Sequence, residues 1–126
     1  MNFVIASLLI VGHYFGDFVF QTSKMATEKS KNVSYLIAHV TVYTFTLTAF
    51  IAPYLIFVQG TDYNLITLFF LFVFLTHFIT DYFTSKINSM YWDDKNFDKF
   101  FSSLGFDQCL HYISLFAIIS YIVNVK

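Results

Sequence analysis

Histidine and aspartate residues recur in this chain at a spacing of four positions. The three pairs are His13 with Asp17, His77 with Asp81, and Asp107 with His111. Residues four apart share one face of an α-helix, so each pair presents an imidazole and a carboxylate in the same direction. With the remaining histidine, His39, these side chains are of the types that bind zinc, manganese or iron.

A divalent transition metal, with zinc preferred over manganese or iron, is therefore the predicted cofactor. The predicted ligands are His13, Asp17, His39, His77, Asp81 and His111. A tetrahedral zinc ion takes four ligands, so this set fits either one ion with supporting residues or two ions. A bound metal lowers the pKa of water towards neutrality, and Asp107 is predicted to be the base that accepts the proton. This chemistry predicts a hydrolase.

Other polar residues near the pairs are predicted to support the site rather than to hold the metal. They are Gln21, Tyr35, Thr84, Ser85 and Gln108. The two glutamines can hydrogen-bond to ligands or join helices, and Thr84 and Ser85 either end a helix or bind substrate. Pairing of histidine with aspartate as interhelical hydrogen bonds, without metal, remains the alternative.

The composition places these residues inside a membrane. Of the 126 residues, 57% are hydrophobic and only 12% are charged, whereas a soluble domain carries roughly 25% charged residues. The mean hydropathy is +0.63. A net charge of −1 without a basic cluster argues against nucleic-acid binding. The single cysteine, Cys109, excludes an internal disulfide.

Four stretches have the apolar length of about 20 residues that spans a bilayer. They cover residues 2–22, 33–58, 63–86 and 104–125. The expected fold is an all-α, four-helix integral membrane bundle that forms one domain over residues 1–126. Aromatic and charged residues alternate over residues 90–101, which predicts a short amphipathic helix in the headgroup layer or a lid over the site.

The ionisable residues of all four spans are expected at one depth. Asp17, His39, Asp81 and Asp107 lie three to six residues inside their span ends, which is roughly 5–10 Å at the helical rise per residue. A charged aspartate in the bilayer core costs a few kcal/mol. We therefore expect these side chains to face the bundle interior and to be paired or bound to a cation.

The distribution of lysines predicts the orientation. Six lysines follow the first and third spans, and only Lys126 lies on the other side. Because positive loops stay in the cytoplasm, both termini are expected outside it, in a bacterial cytoplasmic membrane. The expected partners are the bilayer and an amphiphilic, lipid-like substrate or one that arrives from the cytoplasm. The oligomeric state stays open.

The first and third spans also resemble one another. His13-x-x-x-Asp17 precedes a Thr-Ser-Lys at residues 22–24, and His77-x-x-x-Asp81 precedes another at residues 84–86. This pattern, if not a coincidence, predicts two parallel helix-pair repeats. Tyr35 would then occupy the position that matches Asp107.

Three blocks of the sequence resemble a small bacterial and phage membrane family, domain of unknown function 3307. They are HYFGDFVFQ at residues 13–21, HFITDYFTSK at residues 77–86 and FFSSLGFDQCLH at residues 100–111. The chain is also loosely similar to membrane-bound metal-dependent hydrolases, which carry HxxxD motifs in their spans. The resemblance implies a membrane protein and, by analogy alone, a hydrolase.

Two other classes of function compete with hydrolysis. Intramembrane histidine and aspartate residues also line proton or divalent-cation pathways, although the ends of the spans opposite the pairs offer few polar groups. A non-catalytic protein that binds a membrane partner is the third interpretation. A haem-binding bundle would use paired histidines but has no use for three aspartates.

Overall fold

The continuous apolar runs of the sequence all form helices. The computed structural model describes residues 1–125 and contains no strand in that range, which confirms the all-α class. Five α-helices follow in order: α1 at Phe3–Tyr14, α2 at Ser23–Glu28, α3 at Val33–Phe57, α4 at Tyr63–Asp93 and α5 at Phe97–Val125. A π-helical turn at Phe15–Val19 extends α1 directly. Lys126 lies outside the described residues.

Three of these helices are long and apolar enough to cross a membrane, namely α3, α4 and α5. The first apolar helix, Phe3–Val19, is shorter than the expected span over residues 2–22. It ends early because the chain turns there to begin α2, where the side chain of Thr22 accepts from the N–H of Met25.

The separate amphipathic helix expected over residues 90–101 is absent from the described chain. Instead α4 continues to Asp93 and α5 begins at Phe97, so the segment is divided between two helix ends. A tight turn joins them, in which Lys95 adopts a φ of 56° and the Asn96 side chain accepts from the N–H of Lys99. The short helix between spans is α2, on the connection between the first apolar helix and α3.

The interior of the bundle is divided into an apolar half and a polar half. Fully buried apolar residues from all four long elements fill one half, among them Leu9, Leu47, Ile51, Phe69 and Ile119. The buried histidines and aspartates fill the other half, towards α2 and the α4–α5 turn. This division places the ionisable residues at one level, as their positions in the sequence predict.

Glycines let the first helix approach α3 closely at the level of the polar half. A Cβ added to Gly16 would lie 2.9 Å from the ring of Tyr43 and 3.3 Å from its backbone. Gly12, one turn earlier, would meet Leu47 and Phe50 at 3.0 Å. The residue that follows Gly16 is Asp17, so this close contact sets how far the aspartate reaches into the bundle.

Candidate metal centre

Four buried side chains from three different elements converge on one point. The π-helical turn supplies Asp17, α3 supplies His39, and α4 supplies His77 and Asp81. One ligand atom from each lies within 4.8 Å of all the others. The four residues are at most 5% exposed, so their polar atoms must be satisfied inside the bundle.

Five of the six separations between these atoms, 3.1–3.6 Å, are close to the edges of a zinc-sized tetrahedron, and the sixth is within 4.8 Å. The Nε2 atoms of His39 and His77 lie 3.1 Å apart. Oδ1 of Asp17 lies 3.1 Å and 3.6 Å from the same two nitrogens, and Oδ2 of Asp81 lies 3.2 Å and 3.5 Å from them. Ligands of a tetrahedral zinc with normal bond lengths are about 3.3–3.6 Å apart.

Hydrogen bonding alone does not satisfy this group. Nε2 of His39 lies 3.1–3.2 Å from one nitrogen, of His77, and from two carboxylate oxygens, of Asp17 and Asp81. A ring nitrogen carries at most one hydrogen, so it cannot donate to all of them. A cation between the four atoms would interact with all of them at once. The arrangement therefore fits a metal ion better than a set of paired side chains.

A second group of possible ligands lies beside the first. Nε2 of His111 lies 3.1 Å from Oδ1 of Asp81 and 3.3 Å from Oδ1 of Asp107. All three residues are buried, and one ligand atom of each lies within 4.8 Å of the others. Asp81 belongs to both groups, with Oδ2 facing the first and Oδ1 the second. Asp81 could therefore contribute an oxygen ligand to an ion in either group.

The ammonium group of Lys29 pairs with the carboxylate of Asp81. Its Nζ donates to Oδ2 of Asp81 at 2.7 Å, and its side chain is 15% exposed. Burial acts to lower the pKa of Lys29, but the carboxylates of Asp81 and Asp17 outweigh it, so the pKa is raised above its ordinary value. The lysine is therefore charged and holds Asp81 in place from the connection between α2 and α3.

The charges of the site leave room for a divalent cation. Three buried carboxylates, those of Asp17, Asp81 and Asp107, face one ammonium group, that of Lys29. With neutral histidines the cluster carries two uncompensated negative charges. Uncompensated buried charge is costly, and one divalent ion would neutralise it. Protonation of two histidines is the alternative without metal.

His13 lies outside both groups, and its two ring nitrogens have other partners. The amide of Gln108 donates to Oδ2 of Asp17 and to Oδ2 of Asp107, each at 3.2 Å, so its carbonyl faces His13. Nε2 of His13 then donates to that carbonyl at 2.7 Å, and Nδ1 accepts from the hydroxyl of Tyr43 at 2.8 Å. Its predicted role as a ligand stays a prediction; the geometry makes it a residue that orients Gln108.

The other predicted supporting residues lie at different distances from the centre. Thr84 donates to Oδ1 of Asp107 at 2.6 Å, and Gln21 donates to the backbone carbonyl of Asp17 at 2.9 Å. Ser85 is buried and lines the neighbouring cavity. Tyr35 lies elsewhere, with its ring 5.3 Å from Nζ of Lys24.

Two residues of the site escaped sequence reasoning. Tyr43 is 1% exposed, bonds to His13 and stacks on the ring of His77 with centroids 3.7 Å apart. One signal was present, because Tyr43 follows His39 by four positions. In the sequence, Lys29 contributes only to the prediction of membrane orientation. No neighbouring residue indicates that this loop lysine contacts a residue of a span.

A cavity of about 470 Å³ opens beside the carboxylates. The side chains of Asp17, Asp81 and Asp107 form its floor, and α2, the end of α4 and the start of α5 supply its walls. A molecule that enters this cavity therefore reaches the carboxylate side of the candidate centre. The histidines lie behind the carboxylates.

Comparison with known proteins identifies the family of the chain but does not indicate an activity. The sequence profile of a family described as protein of unknown function (DUF3307) matches residues 5–126. No curated protein and no solved structure matches the chain. The comparisons do not show the expected similarity to metal-dependent hydrolases.

Proposed function

The chain belongs to the DUF3307 family, and from that premise we propose that it is a metal-dependent hydrolase embedded in a membrane. The substrate class is an ester, amide or phosphoester that reaches the centre through the cavity. Zinc is the proposed metal, because imidazole and carboxylate ligands in a tetrahedral arrangement suit it. Manganese and iron share these ligands.

One observation carries the proposal: the four ligand atoms of Asp17, His39, His77 and Asp81 form a tetrahedron-sized group. These residues come from three elements, so the sequence cannot bring them together by helical spacing alone. Burial of two carboxylates with two histidines needs compensation, and a divalent cation supplies it. The adjoining cavity adds a route for a substrate.

The roles of the remaining residues follow from their contacts. A bound metal would supply Lewis acidity and would activate water. Asp107 lines the cavity and is oriented by Thr84 and Gln108, so its carboxylate is placed to act as the base towards a water molecule in the cavity. Lys29 holds Asp81 and can balance negative charge that develops beside it.

Transport is disfavoured by the apolar half of the bundle. The residues beyond the histidines are tightly buried hydrocarbon side chains, including Leu47, Phe69 and Ile119, each 0% exposed. An ion path through that half would need polar groups along its length. A centre that opens on one side only is suited to chemistry rather than to passage.

Metal analysis tests the centre directly. Protein purified in a mild detergent without added metal should contain a divalent transition metal, and Asp81→Ala should lose most of it. Asp98→Ala is the matched control, because Asp98 is an exposed carboxylate in the first turn of α5. Equal, sub-stoichiometric metal in all three proteins would favour the hydrogen-bonded alternative.

Hydrolysis needs a separate test. The metal-loaded wild type should release product from at least one member of a panel of amphiphilic esters, amides and phosphoesters, and removal of the metal by a chelator should stop the release. A stoichiometric metal with no product from any of the panel, together with cation flux in vesicles, would move the assignment to transport.

A further inference from the structure

The cavity beside the candidate centre has two chemically different walls. Along one face of α4, continuing from Asp81, it is lined by the polar side chains of Ser85 and Asn88. Further out it is lined by the apolar side chains of Trp92, Phe100 and Leu104. A ligand that fills this space must itself have a polar end and an apolar end.

The polar wall contains buried groups that have no protein partner. Oγ of Ser85 and Oδ1 of Asn88 are inaccessible to solvent and make no hydrogen bond within residues 1–125, and Ser85 is only 9% exposed. A buried polar group without a partner costs about 1–3 kcal/mol. The hydroxyl of Ser85 can donate, whereas Oδ1 of Asn88 accepts. A ligand that carries both acceptor and donor atoms, such as a phosphate monoester with one P–OH group, would therefore satisfy this wall once the two side chains turn towards the cavity.

Lys29 adds charged donors to the same wall. Its ammonium has three hydrogens, and the described part of the chain uses one of them, at Oδ2 of Asp81. The residue lines the cavity together with Lys31. Asp93 also lines it but is solvent-exposed, where its repulsion of an anion is screened. The carboxylates of Asp17, Asp81 and Asp107 line the floor of the same cavity. A divalent cation in the candidate centre would, together with Lys29, compensate these three charges, and an oxyanion would then suit the donors at this end of the cavity.

The apolar wall is built for a hydrocarbon chain at the membrane surface. Trp92 packs edge-on against Phe97 and Phe100, with ring centroids 5.5 Å and 5.1 Å apart, yet it remains 54% exposed. Tryptophan is enriched at the level of lipid headgroups. An acyl chain along these rings would lead from the polar end of the cavity into the bilayer.

We propose that this cavity binds a phosphate-headed membrane amphiphile. The phosphate contacts Lys29, Ser85 and Asn88, and the acyl chain lies against Trp92, Phe100 and Leu104. The inference rests on the proposed function in one respect: the metal of the candidate centre compensates the carboxylates of Asp17, Asp81 and Asp107, against which the headgroup lies as a substrate would. Binding itself needs no hydrolysis.

Trp92 is the only tryptophan of the chain, so its fluorescence reports on the cavity. The full-length protein in maltoside micelles is titrated with dihexanoyl phosphatidic acid, with dihexanoylglycerol and with inorganic phosphate. We expect a saturable change in emission with phosphatidic acid. The other two probes each lack one end of the ligand and should bind at least about tenfold more weakly, since each charged hydrogen bond or buried chain contributes that much.

Substitutions locate the binding site. Ser85→Ala combined with Asn88→Ala should weaken binding of phosphatidic acid about tenfold, whereas Ser102→Ala, an exposed serine of α5 that does not line the cavity, should leave it unchanged. Equal binding of dihexanoylglycerol or of inorganic phosphate by the wild type would overturn the proposal, as would the lack of a saturable change. The comparisons among the three probes use the wild type alone, so they do not depend on whether the variant folds.

Metal content and hydrolysis measured on the same samples separate the two proposals. Saturable binding of phosphatidic acid by a metal-loaded protein that releases no product would support the proposed ligand and contradict the proposed hydrolase. Hydrolysis of a phosphate-free ester by a protein that does not bind phosphatidic acid would support the proposed hydrolase and contradict the proposed ligand.

Discussion

Histidine residues of similar appearance in the sequence have different surroundings in the fold. His39 and His77 aim Nε2 at the same point as two carboxylates, whereas both nitrogens of His13 are bound to Tyr43 and Gln108. A ligand histidine must offer a free nitrogen lone pair to the metal. The fold therefore separates residues that the HxxxD spacing treats alike.

His77→Ala should remove most of the bound metal, because three donors do not complete the coordination of a buried ion. It should also lower the thermal stability in detergent, since metal binding and folding are coupled. His13→Gln should retain the metal, because the geometry places His13 outside both groups. Elemental analysis and thermal unfolding of both variants measure these outcomes. Equal loss of metal in the two would make His13 a ligand, as the sequence alone predicts.

Asp107→Asn should retain the metal between Asp17, His39, His77 and Asp81 but abolish hydrolysis, because asparagine keeps the size of the side chain and loses its basicity. Metal stoichiometry and product release, measured together, test this. A fall from two ions to one would identify Asp107 as a ligand of the second group with Asp81 and His111. Full activity would exclude it as the base.

At the scale of the elements, the sequence predicts most of the site because helical spacing is visible in it. Continuous apolar runs predict the helices, and the four-residue spacing predicts which carboxylate accompanies which imidazole. The convergence at one depth also follows from counting residues within each span. Contacts between elements are not visible in this way: Lys29 with Asp81, and Gln108 with Asp17, join residues 52 and 91 positions apart.

The π-helical turn is the element that the sequence conceals. It adds a residue per turn at Phe15–Val19 and so changes the direction in which Asp17 points relative to His13. Regular α-helical spacing predicts that the two residues act together, but their closest approach, from Nε2 to Oδ2, is 3.8 Å. Asp17 instead approaches His39, at 3.1 Å.

Gly16→Ala should disturb the centre from outside it. The added methyl would lie 2.9 Å from Tyr43, whose ring is held against His77, so relief requires a shift of the site. We expect a destabilisation of about 1–3 kcal/mol and a lower metal content. Gly105→Ala is the control, because nothing lies within 4 Å of its added Cβ, and alanine favours the helix. Denaturant unfolding in detergent compares them, and equal stabilities would refute this packing argument.

At the scale of the whole molecule, the polar half and the lysines predict a sidedness. The cavity opens beside α2 and the α4–α5 turn, and Lys24, Lys29, Lys31, Lys95 and Lys99 occupy the same connections or adjoin them. If positive loops remain cytoplasmic, the candidate centre opens to the cytoplasm. Both termini then lie on the opposite side.

Reporter fusions at the C-terminus measure this orientation. Alkaline phosphatase fused after Lys126 should be active and a green fluorescent protein fusion at the same position should be dark. The control places the same reporters in the α4–α5 turn, after Lys95, where the two signals should be exchanged. An inactive phosphatase with a fluorescent partner at the C-terminus would reverse the orientation.

The short first helix has a consequence for the lipid around the protein. Phe3–Val19 spans only about 25 Å at the normal rise per residue, against about 30 Å of bilayer hydrocarbon. Such a hydrophobic mismatch is relieved when the bilayer thins locally, and thinning on this side of the bundle would bring the headgroup layer closer to Asp17. Thermal unfolding should therefore occur at a higher temperature in dimyristoyl than in dioleoyl phosphatidylcholine bilayers. The reverse order would mean that the longer helices α3, α4 and α5 set the matching thickness, and that the membrane adapts to them instead.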